Sequence, residues 1–139
     1  MFRHIMAPVD LAHAGRIEAA LKTTGELARH YGARVTYVAV HGSEPGSVAH
    51  TPEEFASKLG AFAAAEAERH GIETAAHDVV SHDPAVDLDD KLLAAADEIG
   101  ADLIAMASHV PGLADHLWPS NGGKIARHAK VSTFIIRGL

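Results

Sequence analysis

The sequence predicts an α/β fold, a single doubly wound sheet of five parallel strands in the order 3-2-1-4-5 with helices on both faces. Three observations predict it. Short apolar runs alternate with longer segments whose apolar residues recur at helical spacing, as in strand–helix–strand units. The 139 residues, 47% of them hydrophobic and 22% charged, suit one globular domain spanning 1–139. Each parallel crossover must also be right-handed, and this strand order meets that rule with short connections.

Five segments have the length and composition of strands: Phe2–Val9, Arg34–Val40, Ile72–Val80, Leu103–Ala107 and Phe134–Ile136. The second is rich in the β-branched and aromatic residues that favour strands. The third contains Glu73, His77 and Asp78, so it suits an edge of the sheet. The last two are continuous apolar runs, which is typical of parallel strands covered on both faces.

Four helices are predicted between these strands, and the first three end at glycines that suit a left-handed C-terminus: Gly32, Gly71 and Gly100. The second begins at Thr51-Pro52 and the third at Asp83-Pro84, a capping residue followed by proline in each case. Their inward faces are the stripes Ile17-Leu21-Thr24-Ala28-Tyr31, Phe55-Leu59-Phe62 and Leu88-Leu92-Ala95-Ile99. The fourth helix is short, from about Ser120 to Ala129.

Charge and composition exclude several classes of protein. Twelve Lys and Arg against eighteen Asp and Glu leave a net charge of -6, and the basic residues do not cluster, so we expect no nucleic-acid partner. No apolar run approaches the roughly 18 residues of a membrane span, and the N-terminus lacks a signal pattern, so we expect a cytoplasmic chain with no membrane partner. The sequence has no cysteine, which excludes disulfides and thiolate chemistry. The eleven histidines show no metal-ligand spacing, and we expect no metal site.

The predicted topology places the ligand site where the winding reverses, at the carboxyl ends of strands 1 and 4. The residues there are Pro8, Val9 and Asp10 after the first strand, and Met106, Ala107, Ser108 and His109 at the end of the fourth. The Asp10 carboxylate could bind a ribose, an adenine amine or Mg²⁺, or it could cap the first helix. A catalytic triad of Ser108, His109 and Asp10 is disfavoured, because adjacent residues on an extended chain point to opposite sides.

The start of the fourth helix is a second candidate site. Ser120-Asn121-Gly122-Gly123-Lys124 places a capping hydroxyl, two glycines and a lysine where free N–H groups and the helix dipole favour a phosphate. The alternative is an ordinary serine cap followed by flexible glycines. The segment lacks the Walker pattern.

The last strand, Phe134-Ile135-Ile136, lies at an edge of the predicted sheet. An exposed apolar edge is a template for pairing, so we expect a homodimer in which two such strands meet antiparallel around a two-fold axis. The alternative is a short edge protected by Lys130 and Arg137.

The chain resembles the universal stress protein family along its whole length, in Ile5-Met6-Ala7-Pro8-Val9-Asp10, Gly32–Thr36, Asp102–His109, Ser120-Asn121 and Arg127-His128-Ala129. The resemblance implies a Rossmann-like fold of the adenine nucleotide alpha hydrolase type. It also implies a cytoplasmic stress-response protein, usually a homodimer through its last strand, which in one branch carries ATP. Position by position, it implies that Asp10 and Val40 hold the adenosine, that Ala107 and Val110 line the phosphate path, and that Ser120 and Asn121 hold phosphate.

The chain departs from the ATP-carrying branch, which is marked by G-x2-G-x9-G-(S/T) after strand 4. Ala107 and Val110 stand at the first two glycines, and Pro119 replaces the last one in a loop that is one residue shorter. Valine disfavours positive φ and proline lacks an N–H donor, so we expect weakened nucleotide binding, with Mg²⁺ only where ATP is bound. Two alternatives stay open: a dimeric scaffold without nucleotide, and a slow ATP hydrolase with His109 as its base.

Overall fold

The computed structural model describes residues 1–108 and 121–137, except for the side chains of Ala85 and Asn121. Its strands are β1 (His4–Pro8), β2 (Arg34–His41), β3 (Thr74–Val80), β4 (Leu103–Ala107) and β5 (Ser132–Ile136). They form one parallel sheet in the order β3-β2-β1-β4-β5. This confirms the predicted topology and places the carboxyl ends of β1 and β4 side by side.

The helices begin and end close to the predicted residues: α1 (Glu18–Tyr31), α2 (Pro52–His70), α3 (Pro84–Ile99) and α4 (Asn121–His128). A 3₁₀ helix over Leu11–Ile17 precedes α1. The three predicted stop glycines have φ of 66°, 65° and 72°, the left-handed conformation that makes glycine the preferred residue at a helix end. The Thr51 hydroxyl accepts a hydrogen bond from the Glu54 N–H at 3.1 Å and caps α2 as expected.

The two faces of the sheet carry separate hydrophobic cores. Ile5, Val35 and Tyr37 point to the face that α1 and α2 cover, whereas Met6 and Val38 point to the face of α3 and α4. This alternation follows from the two-residue period of a strand, and it makes β1, β2 and β4 apolar on both sides. The three central strands are therefore the rigid base from which the carboxyl-end residues project.

The edge strands differ from the central ones in exposure. Residues of β3 are half-buried or exposed along its length, as its polar residues predict. β5 begins at Ser132, before the predicted start at Phe134, because Ser132 and Thr133 pair with β4 although they are polar. Among the described helices, none combines the length and the apolar character needed to cross a membrane.

Candidate functional site

The candidate site is the crevice at the carboxyl ends of β1 and β4. Four predicted residues at its floor are buried: Pro8, Val9, Met106 and Ala107. Val9 is 3% exposed, and its N–H donates to the Val38 carbonyl at 2.9 Å, which extends the β1–β2 pairing by one residue. Val9 and Ala107 belong to one core and Met106 to the other, so these side chains shape the floor of the crevice.

Asp10 is the residue with which the chain leaves β1. Its Oδ1 accepts a hydrogen bond from the Ala12 N–H at 3.0 Å, and its Oδ2 lies 3.3 Å from Nδ1 of His13. The side chain is 27% exposed. Asp10 therefore caps the 3₁₀ helix and not α1, which follows Ile17 without a side-chain cap. Because a carboxylate has about four acceptor positions, acceptor capacity remains on the exposed side.

The main chain of Val40 is directed over the end of β1. β1 pairs with β2 as far as Pro8, which lies opposite Val38. The carbonyl of His41 is turned to the other side, where it accepts a hydrogen bond from the Ser81 N–H at 2.8 Å. Because alternate residues of a strand direct their N–H and C=O groups to opposite neighbours, those of Val40 point the same way as those of Val38.

β1 ends at Pro8, before the level of Val40 in β2. No hydrogen bond from the described parts of the chain reaches the Val40 N–H or C=O. If the register of Pro8 with Val38 is continued by two residues, Asp10 comes level with Val40. The crevice thus brings together a main-chain donor, a main-chain acceptor and a carboxylate. These are the residues that the resemblance to the universal stress protein family implied for an adenosine.

The phosphate side of the predicted site is described in part. The side chain of Ser108 is buried, and the Ser108 N–H donates to the Ile136 carbonyl at 2.8 Å, continuing the β4–β5 pairing. His109, Val110 and Ser120 lie outside the described residues, as does the side chain of Asn121.

Gly122 in the first turn of α4 is buried against β5. A Cβ built on it would lie 3.3 Å from Cδ1 and 3.4 Å from Cγ2 of Ile135, whereas one built on Gly123 would meet nothing within 4 Å. Gly122 is therefore needed for close packing of α4 on β5, a reason for glycine that the sequence did not reveal. Lys124 of the same helix has its Nζ 3.6 Å from Oδ2 of Asp89 on α3. Burial raises the pKa of that carboxyl, and Lys124 opposes the rise.

A second group of side chains at this edge was missed in the sequence. His41, the last residue of β2, stacks on Phe55 of α2 with ring centroids 3.8 Å apart and an angle of 16° between the planes. Its Nε2 lies 3.2 Å from Oδ2 of Asp78 on β3, and its Nδ1 lies 3.0 Å from the Gly42 carbonyl oxygen. The predicted second strand ended at Val40, one residue before the observed end of β2. Within residues 1–108 and 121–137, no three histidine or carboxylate side chains converge as a metal site requires.

The three predicted interface residues of β5 differ in exposure. Phe134 is 43% exposed and Ile136 is 8% exposed within the core that α1 covers. Ile135 is half-buried and packs against the core on the opposite face. Among the described residues of this strand, Phe134 thus presents the exposed apolar surface.

The fold is that of an open doubly wound α/β protein, and the candidate site lies at its switch point. A sequence model of the universal stress protein family matches residues 1–137, and the chain therefore belongs to that family. Universal stress protein G of Shigella flexneri is 27% identical over 149 residues, covering 99% of this chain and 100% of that protein.

Two solved structures share the fold over nearly the whole chain. A universal stress protein in complex with cAMP has a TM-score of 0.71 at 16% identity, covering 99% of each chain. The universal stress protein of Archaeoglobus fulgidus in complex with dAMP has a TM-score of 0.66 at 23% identity, covering 96% of this chain and 97% of that one. These likenesses confirm the fold.

Proposed function

We propose that this chain binds an adenine nucleotide in the crevice formed by Asp10, Val40 and the start of α4. The observation that carries the proposal is the pair of main-chain groups on Val40, which face the crevice and have no hydrogen-bond partner in the described residues. A buried N–H or C=O almost always has a partner, so groups left open at a half-buried position suit a ligand.

The chemistry of these groups matches an adenosine. The Watson–Crick edge of adenine offers an amino donor beside a ring nitrogen acceptor, which complements one C=O and one N–H of Val40. The exposed side of the Asp10 carboxylate suits the hydroxyls of a ribose. The structures of relatives with cAMP and dAMP support the same class of ligand.

The phosphates extend in this proposal toward α4. Helices of a doubly wound fold begin at the carboxyl ends of the strands, so the N–H groups of Asn121 and Gly122 and the positive end of the helix dipole lie on the crevice side of the sheet. ATP is the proposed nucleotide, and Mg²⁺ enters only as its counterion. We propose a cytoplasmic protein that binds the nucleotide without hydrolysing it.

Equilibrium dialysis against ATP tests this proposal. Asp10→Asn keeps the cap, because asparagine caps as well as aspartate, but it removes the charge that accepts from a ribose. We expect about a tenfold loss of affinity, the value of a hydrogen bond to a charged group at the low end of its range. Asp97→Asn removes an equal charge at the exposed far end of α3 and should bind ATP as the wild type does.

Two results would contradict the binding proposal: no retention of ATP by the wild type, or equal affinities for the two variants. Phosphate release from ATP over hours would favour the hydrolase instead. Retention of ATP without release supports binding alone.

We further propose a homodimer formed by the β5 edges. The edge of β5 that faces away from β4 carries main-chain groups open to pairing, and Phe134 adds an apolar surface beside it. Ile135 and Ile136 contribute to this interface through their main chain, since their side chains pack in the two cores.

A further inference from the structure

His13 lies beside Asp10 and is joined to it by two contacts. Its main-chain N–H donates to the Asp10 carbonyl at 3.0 Å, and Nδ1 of its ring lies 3.3 Å from Oδ2 of the Asp10 carboxylate. His13 has φ -134° and ψ 30°, outside the helical values of the 3₁₀ helix to which it belongs. The chain therefore bends at the residue whose ring contacts the carboxylate.

The hydrogen in the contact between the ring and the carboxylate belongs to His13. A carboxylate can only accept a hydrogen bond, whereas an imidazole can carry a hydrogen on Nδ1 both when it is neutral and when it is positively charged. The contact therefore selects a ring with a hydrogen on Nδ1, and it does not depend on the charge of that ring.

The two partners of the Asp10 carboxylate hold different oxygens. Oδ1 accepts from the Ala12 N–H at 3.0 Å, and Oδ2 accepts from His13. The last torsion of an aspartate side chain has a broad preference, so the bond to Ala12 alone leaves the carboxylate free to turn about its Cβ–Cγ bond. The contact with His13 restricts that torsion. Since a carboxylate has about four acceptor positions, each oxygen keeps one for a ligand.

We propose that His13 is a positioning residue, which orients the Asp10 carboxylate so that both of its oxygens accept from the two neighbouring hydroxyls of a ribose. This inference rests on the proposed function and adds to it a preference for nucleotides with an intact ribose. The side chains of His13 and Asp10 are 39% and 27% exposed, so a ligand can reach the carboxylate while His13 holds it. A carboxylate turned away from this orientation would meet only one of the two hydroxyls.

Titration calorimetry with AMP and with 2′,3′-dideoxy-AMP tests the inference, because the second nucleotide lacks both ribose hydroxyls. His13→Leu keeps a branched side chain but removes the donor. We expect it to bind AMP about fivefold more weakly than the wild type does, which is the effect of losing one hydrogen bond of ordinary strength. Its affinity for 2′,3′-dideoxy-AMP should equal that of the wild type, which would also show that the variant is folded.

Two further variants separate the donor from the rest of the side chain. His13→Asn carries an amide N–H at the same distance along the side chain as Nδ1, and it should bind AMP nearly as the wild type does. His30→Leu replaces an exposed histidine at the far end of α1 and should leave both affinities unchanged.

Four results would overturn the inference. They are an unchanged AMP affinity in His13→Leu, an equal loss for both nucleotides in that variant, a loss in His13→Asn as large as in His13→Leu, and a wild type that binds the two nucleotides equally well. If the wild type binds neither nucleotide, the proposed function itself is contradicted.

Discussion

Gly25 of α1 lies against the ring of His70 on α2, so replacing it tests how tightly the two helices pack. A Cβ built on Gly25 would lie 2.6 Å from Cγ and 2.8 Å from Nδ1 of His70. The ring cannot yield freely, because its Nε2 is hydrogen-bonded at 2.8 Å to Glu66, a carboxylate that is 3% exposed. Gly25→Ala must therefore either overpack the contact or displace His70 from a buried charge.

Two opposing effects determine how much Gly25→Ala changes the free energy of unfolding. Alanine is favoured over glycine inside a helix by about 1 kcal/mol. Overpacking costs about 1–3 kcal/mol, and losing a hydrogen bond to a charged group costs about 1.5–3 kcal/mol. We therefore expect Gly25→Ala to lower the free energy of unfolding by about 0.5–2 kcal/mol, the cost of displacing His70 less the helix gain.

Urea unfolding measures this change, and Gly60→Ala is the matched control. Gly60 also lies inside a helix, in α2, but a Cβ there would meet nothing within 4 Å. Gly60→Ala should raise the free energy of unfolding by about 0.5–1 kcal/mol. In a His70→Ala background, Gly25→Ala should lose most of its cost. If Gly25→Ala stabilises the protein as much as Gly60→Ala does, the inference that α1 packs closely on His70 is contradicted.

Three further predictions follow from buried and exposed side chains. Burial and Arg34 lower the pKa of His4 below 6.5, so stability is full above that pH and falls as acid protonates the unfolded chain first. The difference in unfolding free energy between about pH 7.5 and about pH 5.5 should be smaller in His4→Gln, and an unchanged difference would contradict this. The buried Tyr37 hydroxyl has no partner in the described structure, so Tyr37→Phe should unfold at the same or a higher urea concentration; a loss above about 1 kcal/mol would show a missing hydrogen bond. Phe134→Lys should give monomers by sedimentation, because it places like charges across the two-fold axis, whereas Val86→Lys, at an apolar position that is more exposed than Phe134, should stay dimeric. A dimeric Phe134→Lys would move the interface away from β5.

The topology and the helix ends could be predicted from the sequence because they depend on short-range patterns. Gly32, Gly71 and Gly100 end their helices as predicted, since a left-handed residue is needed there. The strand order followed from the alternation of strands and helices together with the handedness rule. The start of β5 could not be predicted, because its first residue, Ser132, is polar. Ser132 pairs with Leu103 of β4, which lies far away in the sequence.

Buried polar pairs could be predicted less well. Glu66 and His70 are 3% and 8% exposed, although glutamate and histidine near a helix end usually lie at the surface. Their spacing did contain a signal, because Leu59, Ala63, Glu66 and His70 recur on one face of α2. His4 and Thr36, joined by a 2.7 Å hydrogen bond, come from different strands, and only the register brings them together.

Part of the candidate site could be predicted and part depended on strand lengths. The carboxyl end of β1, and hence Asp10, followed from the topology. The open main chain of Val40 arises because β2 continues to His41 while β1 ends at Pro8, a difference that apolar patterns do not reveal. The contacts of His41 could not be predicted, because its partners Asp78 and Phe55 lie on separate elements.

The most direct test of nucleotide binding is an NMR titration of the ¹⁵N-labelled protein with AMP, followed at the amide of Val40. A hydrogen bond from this N–H to the base should move its signal and slow its exchange with solvent, together with shifts at Asp10 and at the first turn of α4. Saturable shifts at these positions are the predicted result. An unchanged Val40 amide while AMP saturates elsewhere, or no saturable shift at all, would contradict the account.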